Sequence, residues 1–480
     1  MSRGRAALLV LAALSWSLLF LGTRPLADPD EGRYGEAARE MLVARQPWYP
    51  TLDGRPHLTK PPLAYWLSAS GMALFGQNEW GARAGLALAF TASIAAAFSV
   101  GRRWGGSERA GTGAALALAT SPLAYAAASV LSTDAFVAAA DGVAIACAAR
   151  ALTDPAARRA AVRWMWLALG VAFLAKGPPG LLPLAGVALA WPLRAAPRPA
   201  ERWIDLLSAA VFTVVGLGWY AAMVAADPAR LRMFVGEEVV DRFFTDRFER
   251  DAPAWLPLLT LVGGALPWTP WGIAALRRPP AVEAGRALQR LLGGWILTGL
   301  VVFTLSRSRM PFYTVPLVLG LAAPAGARVA ERCAAWTPRR RAAGLAALAL
   351  LAVLLAELRR EPERFSSSVR HSADVARVVR SELEPLGPQT PVVVLQGRYP
   401  PGLAFYLRRP ILTTRMRRSD DRFGPDLARA DLPAWLATRG GRAVAVGEAA
   451  AFGKLAAGIR VSRQRYPGAS RYVVATLSER

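Results

Sequence analysis

Apolar runs dominate the chain from residue 6 to residue 358, and polar, Pro- and Arg-rich stretches separate them. The first covers residues 6–22 behind Arg3 and Arg5, and ten more follow at 81–100, 110–128, 134–151, 163–176, 178–193, 203–225, 255–276, 291–305, 312–330 and 342–358. A helix needs about 20 apolar residues to cross a bilayer, so the pattern predicts about eleven transmembrane helices. No small-residue cleavage site follows the first run, which predicts an uncleaved helix with a cytoplasmic start. Residues 23–79 between the first two runs are polar and Pro-punctuated, and they form a large loop with short amphipathic pieces such as Tyr34 to Leu42. Beyond about residue 360 the pattern changes to charged helical stretches and short β-rich pieces, 391–395, 442–446 and 472–476. Spaced apolar strands between helical patterns predict a small α/β domain. The expected architecture is an α-helical polytopic membrane core over residues 1–358 with a C-terminal α/β domain over 359–480.

Composition supports lipid as the main solvent: of 480 residues 54% are hydrophobic and 19% charged. A nucleic-acid binder would concentrate the net charge of +24 on one domain, whereas here Arg is spread between apolar runs, so no nucleic-acid partner is expected. Alternating sides from a cytoplasmic N-terminus places the basic loops 102–109, 153–163, 194–202, 277–290 and 327–341 inside, as the positive-inside rule requires. The same count puts residues 23–79, 129–133, 176–179, 226–254, 306–311 and the tail outside. Two cysteines, Cys147 and Cys333, and two histidines, His57 and His371, argue against a disulfide framework and a histidine cluster. The sixteen tryptophans include Trp48, Trp80, Trp104, Trp203 and Trp255 near run ends, where interfacial anchors belong. No internal repeat of the kind that builds two-halved transporters is visible.

The outer segments carry the unusual polar residues. Asp28, Asp30, Glu31, Arg33 and Glu36 cluster after the first run, followed by His57 and Lys60, and Asp134 opens the fourth run on the same face. Two acids brought to one surface can activate a hydroxyl or hold a divalent metal ion, although Asp134 alone also suits a helix N-terminus. Lys176, Arg242, Arg247, Arg307 and Arg309 are basic on the outside, against the usual bias, which fits a phosphate-bearing lipid or, more blandly, anionic headgroups. Asp141 lies seven residues after Asp134, ~10 Å deeper on a similar helix face, where a functional acid and a helix-to-helix hydrogen bond are equal readings.

Seven segments occur in one order: DPDEGRYGEAAREML (28–42), LTKPPLAYWLSASGMALFG with EWGARAG (58–85), LSTDAF (131–136), FLAKGPPGLL (173–182), FVGEEVVDRFF (234–244), ALPWTPW (265–271) and LSRSRMPFYTVPL (305–317). This ordered set resembles the bacterial integral-membrane glycosyltransferases of GT-C type that include the aminoarabinose-to-lipid A transferases, with protein O-mannosyltransferases as more distant relatives. The resemblance implies catalytic acids at Asp30 and Asp134 and donor-phosphate partners at Lys60, Lys176, Arg83 and Arg242. It implies a substrate lining of Glu31, Arg33, Tyr34, Glu238, Arg309 and Tyr313. Two positions depart from the pattern: Thr59 replaces an acidic residue before the KP, and Val239 replaces a histidine after the Glu, which leaves acceptor and metal open.

The implied reaction is attack of an acceptor nucleophile on the anomeric carbon of a polyprenyl-phosphate sugar with inversion. Phosphate leaves readily and needs positive charge more than a proton, so the cations carry electrostatic stabilisation. A hydroxyl acceptor on a lipid, glycan or protein would need a general base, the role for Asp30. The rivals are a polyprenyl-lipid flippase, which should show broken helices paired across two halves, and an assembly protein, which has no use for the ordered acids and bases.

Overall fold

The protein was analysed as a computed structural model, in which residues 3–196, 201–245, 252–361, 372–395, 400–414, 431–453, 455, 458–462, 464–467 and 472–479 are described. Arg247 and His371 lie outside them. The chain divides into two compact units, one of Met1–Leu21, Thr59–Leu67 and Arg83–Arg360, the other of Gly22–Leu58, Ser68–Ala82 and Glu361–Arg480.

The first unit is helical and membrane-embedded. All eleven apolar runs fold as helix, from Arg3–Leu18 to Pro338–Arg360, but two are broken. The run at 110–128 splits into Glu108–Ala119 and Pro122–Ala127, with Pro122 opening the second piece because its missing N–H costs nothing there. The run at 255–276 splits into Leu256–Gly264 and Thr269–Leu276, bent by 103° at a break that holds Pro267, with Pro270 in the first turn of the second piece. Among the described residues six helices are long and apolar enough to cross a membrane, or seven with the bent pair as one span, against eleven runs in the sequence. Arg3–Leu18 and Pro178–Leu193 are shorter apolar helices.

Packing in this unit uses small residues. Thr133–Thr153 lies against Arg158–Lys176, and Glu108–Ala119 against Val315–Cys333. In the second pair the Gly113 and Gly326 backbones touch, and a Cβ on either would run into the other's carbonyl. Lipid gives apolar helices no hydrophobic reason to associate, so such close backbone approach supplies the dispersion contact. Leu206–Ala226 and Pro338–Arg360 keep most of their apolar surface uncovered by protein, as lipid-facing helices do. Trp104 is buried and not at a surface.

The second unit joins the first loop to the tail. The loop contributes helix Asp30–Val43 and a small hairpin of β1 (Thr51–Leu52) and β2 (Arg55–Pro56). The tail forms a five-stranded sheet from β3 (Val392–Val394), β4 (Leu412–Thr413), β5 (Arg442–Glu448), β6 (Ile459–Val461) and β7 (Tyr472–Glu479), in the order β4-β3-β5-β7-β6. The β4-β3-β5 pairs are parallel and those of β7 antiparallel. Val392, Val394, Val444 and Val446 face a core with helix Ser372–Leu383, while Val393, Ala443 and Ala445 face another with Leu432 and Leu436. Both faces being covered, the strands are continuous apolar runs without alternation.

Candidate active site

Within the membrane unit three cations and two acids gather. Lys60 precedes the Leu63–Phe75 helix, outside any spanning segment, and its ammonium donates to Glu238 Oε2 at 2.7 Å and to the Thr59 carbonyl at 2.9 Å. Arg242 donates to the same Glu238 oxygen at 2.7 Å, one carboxylate thus serving two cations. Glu238 and Arg242 are four residues apart, with Glu238 in the π-helical stretch Arg232–Asp241 and Arg242 directly after it. Wide helical turns of that kind recur at functional sites because they re-aim side chains.

Lys176 ends helix Arg158–Lys176, where Gly177 at φ +78° turns the chain in a conformation that a side chain would strain. Its ammonium is paired with Asp134, in the first turn of Thr133–Thr153, and stands 4.1 Å from the Tyr313 ring centroid. A cation over an aromatic face gains from the ring's quadrupole. Tyr313 also lies near enough to Lys60 to act on its charge, and so links the two groups. The five side chains Lys60, Glu238, Arg242, Lys176 and Asp134 are only 12–18% exposed. Water therefore screens them little. Burial pushes the Lys60 ammonium down to about 8; the Glu238 carboxylate opposes that shift and Arg242 adds to it.

Other expected residues have partners of their own, and Asp141 lies within electrostatic range of Lys176. Arg83 is fully buried and donates to the Leu21 carbonyl at 3.2 Å. Arg309 donates to the carbonyls of Thr304 and Ala252, at 2.6 Å to the latter. Asp141 is fully buried and neither of its oxygens has a hydrogen-bond partner among the described residues, so no helix-to-helix bond is made there. Tyr220 was not singled out in the sequence. It belongs to an aromatic cluster with Phe173, Trp219 and Phe234, and it lies within electrostatic range of Glu238. Its only sequence signal is an aromatic residue inside an apolar run.

The acids of the first loop belong to the second unit. Asp30 opens helix Asp30–Val43 and is paired with Arg33, their side chains 37% and 27% exposed. Glu31 is buried and bonded to Arg24 at 2.6 Å and to the Ala27 N–H at 2.9 Å. Glu36 and Arg39 form a bidentate pair at 2.7 Å, and burial raises the Glu36 carboxyl to about 7. Tyr34 is buried, with the Arg33 guanidinium 5.9 Å from its ring centroid. His57 is buried and its backbone N–H bonds the Pro50 carbonyl. Among the described residues no three His, Cys, Asp or Glu side chains come together as metal ligands.

Comparison with known proteins places this geometry in context. Residues 59–219 match the family described as dolichyl-phosphate-mannose-protein mannosyltransferase. The undecaprenyl phosphate-alpha-4-amino-4-deoxy-L-arabinose arabinosyl transferase 2 of Pseudomonas fluorescens strain Pf0-1 is 32% identical over 324 residues, 66% of this chain and 58% of that protein. The corresponding transferase of Pseudomonas aeruginosa strain LESB58 is 30% identical over 69% of this chain and 61% of its own length. The chain thus spans about three fifths of the curated relatives it matches. In fold it is similar to the crystal structure of ArnT from Cupriavidus metallidurans bound to undecaprenyl phosphate, with TM-score 0.77, 24% identity, and 99% and 98% of the two chains covered.

Proposed function

Because the chain belongs to the GT-C-type membrane glycosyltransferases of the ArnT-like kind, we propose that it moves a sugar from a polyprenyl-phosphate donor to an envelope acceptor, a lipid A-like lipid, a glycan or a protein. The observation that carries this reading is the gathering of Lys60, Arg242 and Lys176, three cations against two acids, in a nearly dry cluster. A phosphate leaving group gains negative charge as the glycosidic bond breaks, and cations already in place stabilise it without reorganising. Glu238 and Asp134 hold the cations in the absence of donor, and the donor phosphate takes over part of their role. Asp30, half-buried and paired with Arg33, takes the proton of an acceptor hydroxyl as the hydroxyl attacks the anomeric carbon. Inversion follows from a single displacement. The tail, among whose described residues no comparable cluster of cations and acids gathers, selects or positions the acceptor.

Mass spectrometry of envelope lipids and glycans from a deletion strain, with and without the restored gene, tests this function. Loss of one glycosylated species and its return on complementation is the expected result, whereas an unchanged envelope with altered polyprenyl-lipid distribution would favour a flippase. The proposed orientation puts the cation cluster and the tail on the periplasmic side of the inner membrane, since the basic loops then lie inside. Alkaline phosphatase fused after Arg360 should be active, and an inactive fusion there would reverse the assignment.

A further inference from the structure

We propose that Asp28 is a positioning residue for Asp30, clamped by two residues of the C-terminal region, Ser372 and Gly402, and that the tail thereby sets the rate of transfer. This rests on the reading of Asp30 as the base.

The start of helix Asp30–Val43 has no side-chain cap of its own: Pro29 stands at the N-cap and makes no such bond. Helix ends fray unless their free N–H groups and flanking backbone are tied down. Here the Glu31 and Gly32 N–H groups both reach back to the Ala27 carbonyl, at 3.0 and 3.2 Å, so the turn around Asp28 fixes where the helix begins. That turn is held from the tail. Asp28 Oδ1 accepts the Gly402 N–H at 3.0 Å, and its other oxygen accepts the Ser372 hydroxyl. Two residues earlier, the Leu26 N–H donates to the Tyr406 hydroxyl at 2.7 Å, which donates in turn to Glu79 at 3.0 Å. Hydrogen bonds to an ionised carboxylate are about twice as strong as neutral ones.

Two glycines make the approach close. A Cβ on Gly32 would lie 2.5 Å from the Gly402 nitrogen and 2.7 Å from its Cα, and one on Gly402 would lie 3.1 Å from Asp28 Oδ1. Backbone therefore meets backbone at Gly32, two residues from Asp30, and no flexible side chain of either residue takes up slack between them. Asp30 itself is 37% exposed and is paired only with its helix neighbour Arg33 among the described contacts, so the direction of its carboxylate follows the helix start. The tail acts on chemistry through this clamp without supplying a reacting group.

The test uses the full chain. Initial rates are measured in membranes as formation of the product missing from the deletion strain, at matched protein abundance, and binding of undecaprenyl phosphate is measured on purified protein. Asp28→Ala and Gly402→Val should each lower the rate by about 100-fold, the scale expected for a misplacement of about 1 Å. Their affinity for undecaprenyl phosphate should stay within about twofold, since that contact is made elsewhere. Asp28→Asn keeps an acceptor oxygen for Gly402 and should restore the rate to within about fivefold. Ser372→Ala removes one hydroxyl, so it should fold normally and slow transfer by roughly tenfold. Wild-type rates in both Asp28→Ala and Ser372→Ala beside an inactive Asp30→Asn would overturn the clamp. So would a rate loss that travels with lost undecaprenyl phosphate binding and a lower Tm, which would mean a purely structural contact. An Asp30→Asn protein with the wild-type rate would overturn the base assignment itself, and the clamp with it.

Discussion

The acids of the two units are held in different ways, and the difference separates their jobs. In the membrane unit Glu238 and Asp134 are each bound to a lysine, with Arg242 added at Glu238, at 12–13% exposure of the acids. They cannot leave without stranding a cation in a poorly solvated place, which costs several kcal/mol. In the loop and tail unit, two pairs are more deeply buried, Glu31 with Arg24 and Glu36 with Arg39, and half-buried Asp30 with Arg33 is the most exposed of the three. A surface pair is worth roughly 0–1 kcal/mol, so Asp30 can give up Arg33 at little cost and serve a substrate. In the proposed reaction the fixed acids hold cations, and the loosely held acid handles a proton.

The sharpest way to break this comparison is Asp30→Asn. It keeps size and polarity and removes basicity, and it should lower transfer by about 10³-fold with undecaprenyl phosphate binding intact. Rates in membranes and binding to purified protein check both halves. Near-normal turnover would place the proton acceptor elsewhere or point to an acceptor that is already ionised.

Next in size are Lys60→Ala and Lys176→Ala. Each removes a proposed phosphate partner from a site that water screens little, so undecaprenyl phosphate should bind about 2–5 kcal/mol more weakly. Lys176→Ala also leaves Asp134 without its ion pair, so the folded state should lose stability as well, a loss that a Tm measured beside the affinity would register. If both variants bound undecaprenyl phosphate normally, the cations would be holding the acids and not the donor.

How much of this was legible in the sequence depends on the range over which each feature is encoded. Apolar runs are local, and all eleven became helix. Their breaks were less visible, because the run at 255–276 keeps its hydrophobicity through the 103° bend. The strands of the tail were found where they are long or fully apolar, whereas β4 and β6 are short and carry only two or three residues of signal. The cations, with Asp30 and Asp134, were recognisable as unusual polar residues on the face expected to be outside, but their partners were not. Lys60 meets Glu238 across 178 residues, and Asp28 meets Gly402 across 374, and no periodicity encodes such pairings.

Glu238→Gln sharpens the comparison from the other side. It removes the anion that competes with phosphate for Lys60 and Arg242, so undecaprenyl phosphate should bind up to about tenfold more tightly, as expected for one charge at partial screening. The measurement belongs at about pH 6, because without Glu238 the Lys60 ammonium loses the partner that supports its charge. Equal or weaker binding would show that Glu238 orients the cations and does not compete with the donor.

The smallest effect expected is a pH dependence that belongs to Lys60 alone. Burial holds its ammonium at about 8 against an ordinary value of 10.5, so the free protein loses this charge as pH rises through about 8. A bound phosphate would favour the protonated lysine, so binding above about pH 8 takes up a proton. Between pH 8 and 9 the protonated fraction of such a group falls about fivefold, and the affinity for undecaprenyl phosphate should fall by up to that factor. Unfolding through this group is not the cause, because its sign is opposite. The folded value lies below the unfolded one, so between about 8 and 10.5 the unfolded chain binds more protons, and raising the pH stabilises the fold. The affinity of wild type and of Lys60→Arg, measured from pH 7 to 9 with Tm recorded alongside, isolates the step. Wild type should weaken at constant or rising Tm, while the arginine variant, charged over the whole range, should show a flat profile. The same fall in both proteins would assign the titration to another group, and the phosphate's own ionisation, common to both, would be the first to measure.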